Sequence, residues 1–428
     1  MKTVISNKIK ELALKSGGTL HFFQFGNDGV VTLVGSVSGG HMSAKNPILA
    51  SVHAAMLTEG TTKTTKKVIQ EKLDLLGVTV AFNASQNRLV FTIRCRKDTL
   101  EEVVALVGEM LSKPTFPTPE LGIIKKHFEG ALATEAENTR AQAGIAFANL
   151  VYEKSHPNTG ETTKEKQNAL KKITRAHLVA YHHAHHGRST LTVSASGDVD
   201  VTVIKRSIEK SFSRLPKNTV SVQIIEGREV PRTGGSTVVH IEGKASVDYM
   251  FGTRIYINKT HADYPALVLG SRILGNRGFT GRLMRIVREQ EGLTYGIYAY
   301  LEGLEAGVDG DLLIWGTFAP SLFQKGRAST KREVSKFLKS GFDEKEFAVH
   351  QNLMLANWYV NLSNTGALAS AMHSASTEGG GVGFLDSFPA SIRALTPKDV
   401  LKALKTHVHI NQFSEVAAGT VDRDALSS

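Results

Sequence analysis

The sequence predicts a duplicated protein in which strands and helices are mixed within each of two copies of about 210 residues. Two observations carry this. First, similar segments recur at one offset: Thr174 aligns with Thr396, and Gly197-Asp198-Val199-Asp200 with Gly419-Thr420-Val421-Asp422, 222 residues apart. Leu100 aligns with Leu322 at the same offset, and Phe116 answers Phe342. Second, each copy contains β-rich runs and helix-period runs bounded by turn residues. A long unit written twice is a duplicated domain, whereas a solenoid stacks many short repeats. The expected domains are 1–215 and 237–428, joined by a linker at 216–236.

In chain order, "MKTVISNKIKELALKSGG" reads as a polar helix. "GVVTLVGSVSGG" reads as a strand. "KVIQEKLDLLG" places Ile69, Leu73 and Leu76 on one helical face and stops at Gly77, a fitting residue just past a helix end. "LVFTIRCR" is a strand holding the single cysteine, Cys95, read as a small buried hydrophobe. Thr174 is an N-cap, and the strand "RSTLTVSASG" closes copy one. "LPKNTVSVQIIEGREVPRTGGST", with Pro216, Pro231 and Gly234-Gly235, reads as an extended linker. "TVVHIEG" opens copy two. A helix from about Thr280 carries Leu283, Ile286 and Val287 and ends at Gly292, and the strand "LTYGIYAYL" follows. Thr396 caps a helix with Pro397 at its first position and Asp399 in its first turn.

Bulk properties exclude several classes. The 428 residues carry a net charge of +11, which favours anionic partners, but the Lys and Arg come in ones and twos without interleaved aromatics. That dispersal argues against nucleic acid. No apolar run reaches the length of a membrane helix, and one cysteine allows no intrachain disulfide. The N-terminus lacks the apolar core of a signal peptide, so the expected compartment is cytoplasmic, or periplasmic for a chain whose leader has been removed. "EGGGVGF" lacks the Lys-Ser/Thr of a phosphate loop.

The sharpest stretch is "ILGNRGFTGRLMRIVREQEGLTYGIYAYLEG". Arg288 falls in the last helical turn and Tyr295 seven residues on, beyond the break at Gly292, so both can face one spot. A planar guanidinium and a phenol suit a carbonyl oxygen that gains negative charge. This stretch resembles the second-domain signature of the insulinase/pitrilysin zinc metallopeptidases, whose members include the two-subunit mitochondrial processing peptidase and bacterial relatives. The resemblance extends collinearly through "SHPNTG", both strand ends at Gly197 and Gly419, "GGGVGFLDSFPASIRALTPKDV" and His53 to Thr61. It implies an α+β fold of two homologous domains, each a mostly antiparallel sheet with helices packed on one face, and a clamshell pairing with a second chain. It also implies that Arg288 and Tyr295 hold substrate at the scissile bond.

Catalytic members carry H-x-x-E-H on the helix before "M-L-x-x-G-T", two zinc ligands and a water-activating Glu. With "MLTEGT" fixing the register, those positions hold Ser51, Ala54 and Ala55, and His53 stands where relatives have an apolar residue. Glu129 is the remnant of the third ligand that the resemblance implies. The expectation is therefore no metal and no cofactor in this chain, and zinc in a homologous partner subunit. The chain would be inactive alone, bind extended peptides at a sheet edge, and complete a heterodimeric zinc metallopeptidase. Self-association of the isolated chain into a homodimer is a further expectation. The alternative is a structural or peptide-binding scaffold like the related core subunits of respiratory complexes. "YHHAHHG" places His182 and His186 four apart, a metal-capable spacing, but at a helix end where histidines also sit comfortably.

Overall fold

The computed structural model describes residues 4–15, 17–26, 29–217, 234–275 and 280–427. Residues 218–233 of the expected linker and 276–279 of the copy-two motif lie outside the described residues.

Among the described residues, eleven strands form two sheets of like topology. The first contains β1 (Lys10–Ala13), β2 (Thr19–Gln24), β3 (Val30–Ser38), β4 (Thr79–Ala84), β5 (Arg88–Arg96) and β6 (Thr192–Gly197), in the order β1-β2-β6-β3-β5-β4. The second contains β7 (Ser236–His240), β8 (Val247–Arg254), β9 (Gly296–Glu302), β10 (Asp311–Phe318) and β11 (Ser414–Gly419), in the order β7-β11-β8-β10-β9. In copy one the last strand, β6, inserts between β2 and β3, and in copy two the last strand, β11, inserts between β7 and β8. β6 runs parallel to β2 and antiparallel to β3, and β11 does the same with β7 and β8. Every other pairing is antiparallel. Both sheets are mixed and the class is α+β.

The matched residues of the two copies do matched work. Thr174 and Thr396 each accept from the backbone N–H three residues on, at the heads of helices Arg175–His185 and Pro397–His407. Gly197 and Gly419 close β6 and β11 with φ of 159° and 146°. A Cβ at either would lie 2.6 Å from a backbone oxygen, that of Val30 or Ser246, so only glycine fits. Helix Lys66–Leu76 ends as expected on Gly77 in the left-handed conformation.

Two local expectations fail. The N-terminal segment is not one helix: after a single 3-10 turn at Ser6–Lys8, Lys10–Ala13 is an edge strand paired with β2 from Lys10↔Phe22 to Ala13↔Thr19. Gly17 and Gly18 reverse the chain at positive φ, and sheet pairing overrides the weak helical preference of "KELA". The helix after Thr280 is for most of its length a π-helix, Met284–Gln290, in which Glu291 N–H reaches back five residues to Ile286 O at 3.0 Å.

The chain forms two compact units. One comprises 1–131, 164–223 and 359–387, the other 132–163, 224–358 and 388–428. Each unit therefore takes a helix from the other sequence half. In the second unit, helix Thr139–Val151, capped by the Asn138 side chain, lays Ala143, Phe147 and Val151 against Met250, Leu313, Val416 and Ala418. In the first, helix Thr365–Thr377, capped by Asn364, packs on β2, β3 and β6. Thr32 Oγ1 meets Thr365 Oγ1 at 3.2 Å on this face, while Phe91, across from Gly35, stacks on Phe212 of helix Val201–Phe212 on the other. The exchanged helices thus cover the sheet faces that each half's own helices leave bare. For this reason β3 and β8 are buried on both faces and lack strict alternation.

The "SHPNTG" segment fastens its helix into the second unit. Asn158 Nδ2 donates to the carbonyls of Gly303 and Asp309 at 2.9 and 3.0 Å. His156 Nε2 lies 3.0 Å from Asp309 Oδ1, and its ring stacks on Tyr152. The Tyr152 hydroxyl donates to Asp311 Oδ2 at 2.6 Å. Burial pushes the Asp311 carboxyl up to about 7, against the pull of that hydrogen bond.

Candidate functional site

Two places hold the residues singled out in the sequence, one in each unit.

In the second unit, the π-helix and the turn after it position Arg288 and Tyr295. Gly292, at φ 64°, ends the helix: its own N–H reaches Arg288 O at 3.0 Å, and Leu293 N–H reaches Val287 O at 3.0 Å. No atom stands within 4 Å of a Cβ built at Gly292, so the backbone angle alone asks for glycine. The Thr294 hydroxyl then bridges the carbonyls of Gly296 and Thr317, pinning the loop to β10. Tyr295 precedes β9 rather than lying within it, and is 88% exposed. Arg288 is half-buried. Both side chains line one open depression of about 510 Å³, together with Leu293, Thr294 and Ser246. Two hydrogen-bond donors on one depression can grip a backbone carbonyl.

The sheet edge beside Tyr295 is covered. β9 is the outer strand, but Ile297 N–H is taken by Met284 Sδ at 3.4 Å. A Cβ at Gly275 would sit 2.4 Å from Ala299 N, so the helix Tyr264–Gly275 closes the next stretch. A peptide held by Arg288 and Tyr295 would not extend this sheet at 297–299.

In the first unit, helix Leu49–Met56 carries the positions that the resemblance assigns to the zinc motif. Ser51 and Ala55 are half-buried and Ala54 is buried. None offers an imidazole or carboxylate, and Glu129 is exposed on helix Thr118–Glu137. Among the described residues, no group of potential ligands includes Glu129. The donor set does not fit the family's zinc, and no hydrolytic step runs through it.

His53 turns inward instead. It is fully buried, as is His186, and His182 is 4% exposed. Helix Arg175–His185 and the residue after it bring these two onto His53: His53 Nε2 lies 3.1 Å from His182 Nδ1, and the His53 and His186 ring centroids are 4.6 Å apart. Phe116, held at φ 47°, packs against His53 and His182, and Tyr181 packs edge-on against His53. Burial, then the neighbouring histidines, holds His53 well below its usual pKa. Burial also lowers His182 to about 4 and His186 to about 3. The three rings are neutral at pH 7. The sequence showed the His182/His186 spacing and an isolated histidine in an apolar run, but nothing local linked them across 129 residues.

Residues 172–354 match the family profile described as the peptidase M16 inactive domain. A curated relative from Helicobacter pylori, "Non-peptidase homolog YmxG", is 20% identical over 395 residues, 90% of this chain and 88% of the relative. The crystal structure of a peptidase M16 inactive domain from Pseudomonas fluorescens superposes with a TM-score of 0.87 at 22% identity, covering 96% of this chain and 97% of that one. A protease from H. pylori superposes with a TM-score of 0.87 at 15% identity, covering 96% and 99%. At such identities the structural likeness concerns the fold. The profile match, the relative and the fold agree that the chain carries a domain of the M16 peptidase family, of the inactive type.

Proposed function

We propose that the chain is the non-catalytic, substrate-binding subunit of a heterodimeric zinc metallopeptidase. A homologous partner bearing H-x-x-E-H would supply the zinc and the water-activating carboxylate. This chain would supply Arg288 and Tyr295 as donors to the peptide backbone near the scissile bond. The observation that carries the reading is that Arg288 and Tyr295 line the same depression, while Ser51, Ala54 and Ala55 leave the chain without the family's zinc ligands. Donors aimed at a carbonyl that becomes an oxyanion act by position, so they can sit on a different polypeptide from the metal.

Reconstitution tests it. The purified chain is combined with an H-x-x-E-H subunit, and peptide cleavage is followed with each component alone and together. Activity is expected only in the mixture. Arg288→Ala and Tyr295→Phe are each expected to lower kcat by about 10²-fold, the order found for removing one oxyanion donor. Unchanged turnover in both variants would remove their assigned roles and leave the scaffold reading. The basic charge adds a weaker expectation, a preference for acidic or neutral peptides that salt blunts.

A further inference from the structure

We propose that His53, His182 and His186 form a structural binding site for one imidazole-preferring transition-metal ion of the zinc and copper class, independent of the family's hydrolytic zinc position. One potential ligand atom from each of the three residues lies within 4.8 Å of the others. At metal–nitrogen distances of about 2.0–2.1 Å, ligand nitrogens stand about 3.3 Å apart in tetrahedral and about 3.5 Å apart in trigonal coordination. His53 Nε2 and His182 Nδ1 already stand at 3.1 Å.

The second ring nitrogens are arranged as metal ligands require. His186 Nδ1 lies 2.8 Å from the carbonyl of Ser38 and donates to it, which leaves Nε2 as the bare lone pair. That Nε2 is buried and meets no hydrogen-bond partner. His182 Nδ1 faces His53 Nε2 at 3.1 Å, so one of the two nitrogens carries the proton between them in the metal-free cluster and a metal ion takes that proton's place. Backbone carbonyls that fix the tautomer and orientation of a ligating imidazole are the usual outer shell of a histidine metal site, and Ser38 does this for His186. His53 is buried among them with Nδ1 unpartnered.

A buried polar atom without a partner costs about 1–3 kcal/mol. The metal-free cluster holds two, on His53 and His186, in a region otherwise packed by Phe116 and Tyr181. A cation at the centre uses the His186 lone pair directly. If His53 ligates through Nε2, its Nδ1 is left as the N–H side of the ring. The cluster contains no carboxylate or thiolate, which selects for imidazole-preferring ions over magnesium or calcium. It also contains no general base and no exposed ligand, so the site holds helices together rather than performing hydrolysis. Three neutral imidazoles suit Cu(I) and Zn(II) alike, and the experiment separates them.

The full chain, prepared without a histidine tag and stripped with chelator, is incubated separately with Zn(II), Cu(I) and Mg(II), desalted and analysed for bound metal. One equivalent of Zn(II) or of Cu(I) is expected to survive desalting, and no Mg(II). With metal at 100-fold over its dissociation constant, the thermal midpoint should rise by about 3 °C where the chain melts as one and about 6 °C where the first unit melts by itself. His53→Leu, which fills a similar volume without a polar atom, should abolish both effects and move the metal-free midpoint little, because it removes the unpartnered His53 Nδ1 but also the 3.1 Å partner of His182 Nδ1. His407→Ala should retain the metal, because it alters only the separate, partly exposed His261–Asp263–His407 group. X-ray absorption of the loaded wild type gives a reading that needs no variant: three imidazole nitrogens at about 2.0 Å are expected. Failure of both ions to survive desalting, undiminished retention in His53→Leu, or fewer than three imidazoles at the metal would overturn the proposal.

Discussion

Asp311 should make the protein's stability depend on pH with a sign opposite to that of most carboxylates. Its side chain is buried at the start of β10, one oxygen accepting from Tyr152 and the other without a partner. Burial raises its pKa from 3.8 to about 7, opposed by the Tyr152 hydrogen bond and helped by Glu302 and Asp309. The folded state therefore holds this proton between pH 4 and 7, where the unfolded chain has released it. Stability rises with pH only where the unfolded state binds more protons, so this group's contribution is fully present below pH 4 and is lost as pH climbs towards 7. At about 1.4 kcal/mol per pH unit, the loss is at most about 4 kcal/mol. Asp311→Asn keeps an acceptor for Tyr152 and cannot ionise. Replacing the carboxyl leaves an amide without a partner, a roughly constant penalty of about 1–3 kcal/mol. Relative to wild type, the variant should therefore gain stability steadily from pH 4.5 to 7.5. Urea midpoints of both proteins across that range measure the difference. The buried histidines, whose lowered pKa values act with the opposite sign over much of the same window, cancel in the comparison. A wild-type-to-variant difference that stays constant from pH 4.5 to 7.5 would refute the reasoning.

Two further outcomes can be checked simply. Gly275→Ala drives a methyl to 2.4 Å from Ala299 N and 2.8 Å from its Cβ, so it should destabilise by about 1–3 kcal/mol, seen as a lower urea midpoint. Cys95 is buried and burial pushes its thiol up to about 11, so it should resist a disulfide reagent at pH 8 in the native protein and react fully in denaturant; rapid native labelling would contradict the burial.

If the helix Leu49–Met56 is the one that carries the metal in catalytic members, as the resemblance implies, positions 51, 54 and 55 hold no ligand for it. The same helix carries His53, and the fold gives that histidine two others as neighbours. A metal site that hydrolyses and a metal cluster that packs are different uses of one region. The first is missing its donors; the second, as proposed, has all of its donors and no route for substrate.

Much was legible because it was local or repeated. Thr174 and Thr396 are caps, Gly77 and Gly292 end helices, and Gly197 and Gly419 close equivalent strands, each for a reason within a few residues of itself. The 222-residue offset revealed the duplication because two copies must solve the same strand insertion twice. That positions 51, 54 and 55 hold no histidine or glutamate is likewise visible in one dimension.

What the chain order could not show is which surfaces meet. The strand Lys10–Ala13 looked helical because its pairing partner lies beyond a reversal at Gly17 and Gly18. The helices at 139–151 and 365–377 look alike in sequence, yet each completes the sheet of the other half, a choice made by apolar burial over long range. The edge of β9 is closed by a methionine sulfur and a glycine from separate elements. Sequence alone determined the duplication, the caps, the glycine turns and the absence of histidine and glutamate at 51, 54 and 55, because those depend on short-range geometry and residue identity. Only the tertiary structure decided that three histidines share one interior point and that Arg288 and Tyr295 share one depression, because convergence in space follows from packing, which residue spacing does not encode.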